Sequence, residues 1–341
     1  MAKKIAITGA AGFIGSHLVD ELVAAGHARR LLLLAAPWQP PRFLPDSIDP
    51  AQQVRRVDIR DRRSVTRALS QADEVYHLAA KIDFNGRSYA EYYHHNVAGT
   101  ANVVRAAIKH GVRKVVVYSS IGVYGMPADT GDLVKVNESH PPAFTNWYGR
   151  SKWEAEEVVR RAHRENGLKY AIIRPASVYG PREVGPTLGL YRAIHRGRFA
   201  MVGDGRNQMH YVFVKDLVKG TLQAAASRRH TGEYILAGAR PTPFAKVAAD
   251  IAASIGRPPP ARRLPYPVAL GMAVGLQAVS GLLRPVIEWQ PPLFPSRVRT
   301  MVTSYSYNIS RARRELGYRP RTSFQAGARQ TGRWYLDQGW L

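Results

Sequence analysis

Short apolar runs alternate with helical stripes along the first half of the chain. Lys4–Thr8 is a compact apolar run that reads as a strand, and Ile14–Ala25 places its apolar residues at helical spacing. The alternation continues through strands at Leu31–Leu34 and Val54–Asp58, a helix at Ser64–Ser70 and a strand at Glu74–Leu78. A helix at Tyr93–His110, a strand at Lys114–Ser119, a helix at Tyr148–Asn166 and a strand at Tyr170–Arg174 complete it. Strands separated by helices run parallel and are covered on both faces. Val115, Val116 and Val117 in a row suit such a doubly buried strand. The expected fold class is α/β, a doubly wound parallel sheet.

After Gly180 the pattern loosens. Pro181, Gly185, Pro186, Gly189, Gly203 and Gly205 mark loops. Residues 1–180 are therefore expected to form the sheet domain. Residues 181–341 would form a smaller cap that binds substrate, with segments returning to the sheet. At 341 residues, 45% of them apolar, the chain can bury a large core. Lys3 and Lys4 before an apolar stretch imitate a secretory signal, but Gly9, Gly12, Ser16 and His17 interrupt it, so it reads as strand and turn. Residues 268–283 are apolar on every side and flanked by Arg262, Arg263 and Arg284. Such a helix is either buried or touches a membrane. Cover for the substrate pocket is the first expectation, and peripheral membrane contact through 262–284 is the second.

Composition narrows the chemistry. The absence of cysteine excludes disulfides, thiolate catalysis and cysteine-held metal centres. His94, His95 and His210 show no metal-ligand spacing, so no metal is expected. The net charge is +24, from 49 basic and 25 acidic residues. A field of this sign attracts anions. No basic block interleaved with aromatics points to nucleic acid.

Gly9, Gly12 and Gly15 follow the first strand and open the first helix, with Phe13 and Ile14 between the last two. That spacing makes a tight turn, lets backbone approach a pyrophosphate, and aims a helix N-terminus at it. An acid some twenty residues on would hold the ribose of NAD, but Leu34–Trp38 has none. Arg42 could instead face a 2′-phosphate, which favours NADP. Asp58, followed by Ile59, could reach the adenine or simply cap the turn before Arg60.

Tyr148 and Lys152 stand four apart on a helix and share a face. An ammonium and a positive nicotinamide would stabilise a phenolate there, making Tyr148 an acid/base for a reacting alcohol or ketone. Ser119 and Ser120 end a strand, where parallel sheets place ligands.

The strings TGAAGFIGSHL, HLAA (His77–Ala80), NVAGT (Asn96–Thr100), YSSIGVYG, YGRSK and RPASVYGP are similar to those of the extended short-chain dehydrogenase/reductase superfamily, over nearly the whole chain. The resemblance implies a Rossmann sheet, NAD(P) and an enzyme acting on CH–OH groups. It makes Ser120 the hydroxyl that orients substrate, Tyr148 the acid/base and Lys152 the ribose ligand. Ala79, Ala80, Lys81, Ser119 and Pro175 to Val178 become cofactor contacts, and Asn96 a support. Two branches compete, nucleotide-sugar epimerases and enzymes similar to 3β-hydroxysteroid dehydrogenases and dihydroflavonol reductases. Sugar enzymes carry an arginine where this chain has Met209, although Arg206 is near, and an asparagine where it has Ser177. The absent arginine would leave phosphate oxygens unpaired. Leu264–Pro267, 268–283 and the LGYRP string ending at Pro320 look like the steroid branch. Ile121 and Gly122 replace the acidic pair of dehydratases.

Phe84, Val123, Tyr124, Trp147, Ser177, Tyr179 and Met209 are the expected substrate wall; Asp129, Asp132 and Glu138 are loop acids that could shape it. The expected activity is hydride transfer on a hydrophobic, sterol-, flavonoid- or polyketide-like alcohol or ketone. A nucleotide-sugar 4-epimerase is the alternative, and a nonenzymatic dinucleotide-binding scaffold the third. A cytoplasmic homodimer, with or without membrane contact, completes the expectation.

Overall fold

A computed structural model describes residues 4–82, 88–125, 135–283 and 295–341. Seven parallel strands form one sheet: β1 (Lys4–Thr8), β2 (Leu31–Ala35), β3 (Val54–Arg56), β4 (Ala72–His77), β5 (Lys114–Tyr118), β6 (Tyr170–Pro175) and β7 (Glu233–Leu236). Their order across the sheet is β7-β6-β5-β4-β1-β2-β3. The chain winds outward from β1 to β3, then restarts at β4 on the other side of β1. That reversal opens a crevice at the carboxyl ends of β1 and β4, the place where such sheets receive ligands. In register, Ile7 faces both Leu33 and Tyr76, and Thr8 faces His77. Strand β7 comes from beyond residue 180, so the later half of the chain supplies one edge of the sheet.

Each face of the sheet buries a separate apolar core. Leu18, Leu22, Val116, Leu217 and Ile235 belong to one, and Val65, Val103, Val115, Val159 and Ile172 to the other. A third core joins helices Pro186–His195, Phe244–Ser254 and Phe324–Asp337 through Tyr191, Val247, Ile251 and Tyr335.

Two elements differ from the sequence expectation. The helix expected at Tyr93–His110 is broken: a π-helical stretch at Tyr93–Ala98 precedes the α-helix Gly99–Lys109. A π turn adds one residue per turn without disturbing apolar periodicity enough to be read. Asn96 sits in that stretch. The apolar helix, Tyr266–Leu283, does not bury its whole circumference over a pocket. Ala269 and Ala273 are buried with Val202 and Val298, while Val268, Met272, Val274 and Val279 are exposed. Among the described residues no helix is long and apolar enough to cross a membrane.

Beneath the sheet's carboxyl edge lies a buried ion network. Arg174, on β6, is 1% exposed. Its guanidinium donates to Glu156 at 2.9 and 2.5 Å, to Glu233 at 2.8 Å and to the Tyr124 hydroxyl at 2.6 Å. Arg160 donates to the same two carboxylates. Removing one partner from such a cluster strands a charge out of water. Arg174→Leu is therefore expected to destabilise the fold by about 3–5 kcal/mol, measured by urea unfolding, with part recovered by adding Glu156→Leu.

Candidate active site

The glycine turn closes tightly on the strand ends. Gly9 has φ +71°, and its amide donates to the Leu34 carbonyl at 2.9 Å. A Cβ on Gly9 would lie 2.8 Å from the Ala79 nitrogen, and one on Gly15 only 2.1 Å from the Gly9 oxygen. Gly12 precedes the helix Phe13–Ala24 and offers no side-chain cap. The first-turn amides are thus left for an anion, as a diphosphate requires. The Ser119 hydroxyl, at the end of β5, is buried without a hydrogen-bond partner. A buried polar atom of this kind calls for an outside partner. Both features fit a dinucleotide.

A chain of side-chain hydrogen bonds links this turn to the helix Trp147–Asn166, which carries Tyr148 and Lys152. Ala79 N–H donates to Thr8 Oγ1 at 3.2 Å, and Thr8 Oγ1 lies 2.7 Å from His77 Nδ1. His77 Nε2 lies 3.0 Å from Thr100 Oγ1, which donates to the Asn96 carbonyl at 2.5 Å. With Thr100 donating onward, His77 must donate from Nε2 and accept at Nδ1. Burial and the nearby Lys152 charge push His77 down to about 3, so the ring is neutral. Asn96 accepts from Lys81 N–H at 2.8 Å and donates to the Lys81 carbonyl at 3.0 Å and to Ser151 Oγ at 2.8 Å. Ser151 in turn donates to the Tyr148 carbonyl at 2.8 Å.

That helix starts at Asn146, whose side chain accepts from Gly149 N–H at 2.8 Å. A Cβ on Gly149 would meet the Gly122 oxygen at 2.3 Å, so the helix start lies directly against the turn after β5. Ser120 caps that turn, accepting from Gly122 N–H at 3.0 Å. The Ser120 and Tyr148 side chains flank Gly122 and are hydrogen-bonded to each other. Lys152 follows one turn later, 6% exposed.

Burial, not the ammonium, governs Tyr148. It raises the phenol above its ordinary value, and the Ser120 hydrogen bond only partly offsets this. Burial also pulls Lys152 down to about 8, against the pull of Glu156. The lowering of Tyr148 expected from Lys152 is thus not a property of the protein alone.

Other expected contacts fall in different places. Asp58 is committed to Arg60, accepting from its backbone N–H at 2.9 Å and its guanidinium at 2.6 Å. Ile59 is core and abuts Gly99. Arg42 is exposed. Ala79 and Ala80 follow β4; the Lys81 ammonium pairs with Glu91 at 3.2 Å. Pro175 ends β6, and Val178 packs on the core below.

Of the expected substrate wall, Trp147 lines a cleft of ≈ 380 Å³ beside Tyr148, together with Tyr92, Phe144, Thr145, Asn146 and Arg150. Phe84, Asp129 and Asp132 lie outside the described residues. Val123 and Tyr124 are core, and the Tyr124 hydroxyl is taken by Arg174. Tyr179 is also buried, stacked among Tyr211, Phe213 and Phe324. Val123 and Tyr124 support the site instead of walling it, while Tyr179 lines a second hollow of ≈ 240 Å³ with Phe213, Arg240 and Phe324. Ser177 is exposed at the start of the strand Ser177–Tyr179. Met209 is half-buried, its sulfur 3.6 Å from the Asn207 amide. Glu138 accepts from Ile235 N–H at 2.9 Å, a structural tie. Sequence reading missed Ser151, Thr100 and the roles of Gly122 and Gly149. Only the glycines carried a local signal.

The model of the NAD dependent epimerase/dehydratase family matches residues 5–237. The chain belongs to this family. An N-acetyl-alpha-D-glucosaminyl-diphospho-ditrans,octacis-undecaprenol 4-epimerase from Escherichia coli O157:H7 is 32% identical, over 81% of this chain and 78% of its own length. The Bos taurus sterol-4-alpha-carboxylate 3-dehydrogenase, decarboxylating, is 27% identical, over 94% of this chain and 88% of its own. Among solved structures, MoeE5 in complex with UDP-glucuronic acid and NAD superposes with a TM-score of 0.76 at 25% identity, covering 98% of this chain and 99% of that one. The expected preference for NADP gains no support: the family is described by NAD, and that neighbour holds NAD.

Gly15→Ala tests the cradle. Its Cβ would push the turn off the helix start and cost at least one bond to a phosphate, about 1.5–3 kcal/mol. NAD affinity, followed by fluorescence titration, is expected to fall roughly tenfold or more.

Proposed function

We propose that this family member transfers hydride between NAD and a secondary alcohol or ketone on a hydrophobic molecule. The observation that carries the reading is the half-buried, hydrogen-bonded Ser120–Tyr148 pair at the cleft, with buried Lys152 one helical turn away. Bound NAD supplies the hydride acceptor or donor. Ser120 orients the reacting oxygen. Tyr148 takes the alcohol's proton in oxidation and returns it in reduction. Lys152 holds the ribose, and its charge favours the phenolate. Gly9, Gly12 and Gly15, with the amides of Phe13 and Ile14, receive the diphosphate, and Ser119 offers its unpartnered hydroxyl to the same ligand.

A hydrophobic substrate is supported by three features. Tyr92, Phe144 and Trp147 supply an apolar side to the cleft that Tyr148 lines, opposite in character to Thr145, Asn146 and Arg150 in the same lining. Met209 stands where a sugar enzyme would carry a cation. Relatives acting on sterol carboxylates match nearly the full chain.

A second reading draws on the 32%-identical relative, whose name describes a sugar joined through a diphosphate to a polyprenol. An apolar tail therefore does not by itself exclude a sugar. A dehydrogenase or reductase changes the amount of reduced nicotinamide with each turnover, and a 4-epimerase leaves it constant. Absorbance of the reduced cofactor during turnover of sterols, flavanonols and lipid-linked or nucleotide sugars decides between them; net change is the expected result.

Tyr148→Phe is expected to lower kcat by about 10²–10⁴-fold while leaving NAD affinity unchanged. Retained turnover would remove the role given to that hydroxyl. Lys152 carries its charge below a pH of about 8 and loses it above. NAD affinity is accordingly expected to weaken as pH rises through that value. Titrations of Lys152→Met should show no such step.

A further inference from the structure

The helix Tyr266–Leu283 is a surface element with no part in the reaction described above. None of its 18 residues is charged. At 100° per residue, Val268, Met272 and Val279 fall in one narrow arc. Gly275, Gly271 and Ala278 continue that arc to Val274. These valines and Met272 are 50%, 52%, 46% and 53% exposed in the order Val268, Met272, Val279, Val274. The opposite side, through Ala269 and Ala273, is the one packed on Val202 and Val298. A helix that faces water normally carries charge on its outer arc, and a contiguous exposed apolar face marks a docking surface.

The charge around this face identifies its partner. From residue 257 to residue 303 the sequence holds six arginines and one acidic residue, Glu288. Arg262 and Arg263 lead into the helix and are exposed, as is Arg299 on the helix Pro295–Val302 packed beside it. A second copy of this chain would set arginine against arginine across the contact. An anionic bilayer matches both halves of the surface, acyl chains for the apolar arc and phosphates for the cations. We infer that this face docks the protein on an anionic membrane surface. Val268, Met272, Val274 and Val279 enter the acyl boundary, and Arg262, Arg263 and Arg299 meet the headgroup phosphates.

The test uses the full chain, without substrate or NAD, sedimented with phosphatidylcholine vesicles and with vesicles also containing phosphatidylglycerol. Docking predicts association with the anionic vesicles at low salt, weakened by added salt. The double variant Met272→Asp/Val279→Asp, altered only at exposed positions, is expected to lose at least about tenfold in partitioning. An unchanged thermal midpoint would show that it is folded, and Arg262→Gln/Arg263→Gln gives a second, apolar-neutral check that should also weaken association. Absence of association at low salt, or association that both variants leave intact, would overturn the inference. A dimer that the aspartates dissociate, with no vesicle binding, would assign the face to a second copy and overturn it as well. Because the readout involves no turnover, failure here leaves the hydride-transfer reading standing, and the converse holds.

Discussion

Partial or full loss of water sets the chemistry of Tyr148, half-buried where it lines the cleft, and of Lys152, which is buried. Burial penalises the phenolate and the ammonium alike, so each is displaced toward its neutral form, Tyr148 upward and Lys152 to about 8. A charge brought next to them, away from bulk water, acts with more force than it would in water. The protein alone therefore holds a reluctant base, whose hydrogen bond with Ser120 only partly offsets its burial. A positively charged ring arriving beside the phenol would be the agent that makes it acidic. Reactivity is in this way tied to occupancy of the dinucleotide site.

Geometry is enforced by groups that never meet a substrate. The hydrogen bonds from Thr8 through His77, Thr100, Asn96 and Ser151 reach from the glycine turn to the first turn of the helix Trp147–Asn166. Each member is satisfied, which is the condition under which a buried polar network stiffens a structure instead of weakening it. From the other side, Glu156 lies one turn beyond Lys152 and is gripped by Arg174 and Arg160. The helix is thus fixed at both ends of its catalytic segment, and Gly122 and Gly149 let it approach the serine turn closely.

Local signals made the sheet readable from sequence, and they also set the proposed reacting groups side by side. Gly9, Gly12 and Gly15 sit within one turn, and Tyr148 and Lys152 within another, so spacing alone puts them together. The substrate wall was harder. Tyr124 and Tyr179 look like pocket aromatics in one dimension, yet the first is claimed by Arg174, fifty residues away, and the second by rings from Tyr211 to Phe324. Of the two roles open to Asp58, the structure displays the turn cap, through its bonds to Arg60. The helix Tyr266–Leu283 was read correctly as apolar on all sides, but periodicity cannot say which arc a neighbour covers.

Dehydrogenase and epimerase readings share every feature of this centre, and both need the dinucleotide to acidify the phenol. Ultraviolet titration of tyrosinate, taken as the difference between the native chain and Tyr148→Phe, observes that step directly. Without NAD the difference should show no ionisation below the ordinary tyrosine range; with saturating NAD it should gain one tyrosinate at distinctly lower pH. An identical titration in the two conditions would contradict the account.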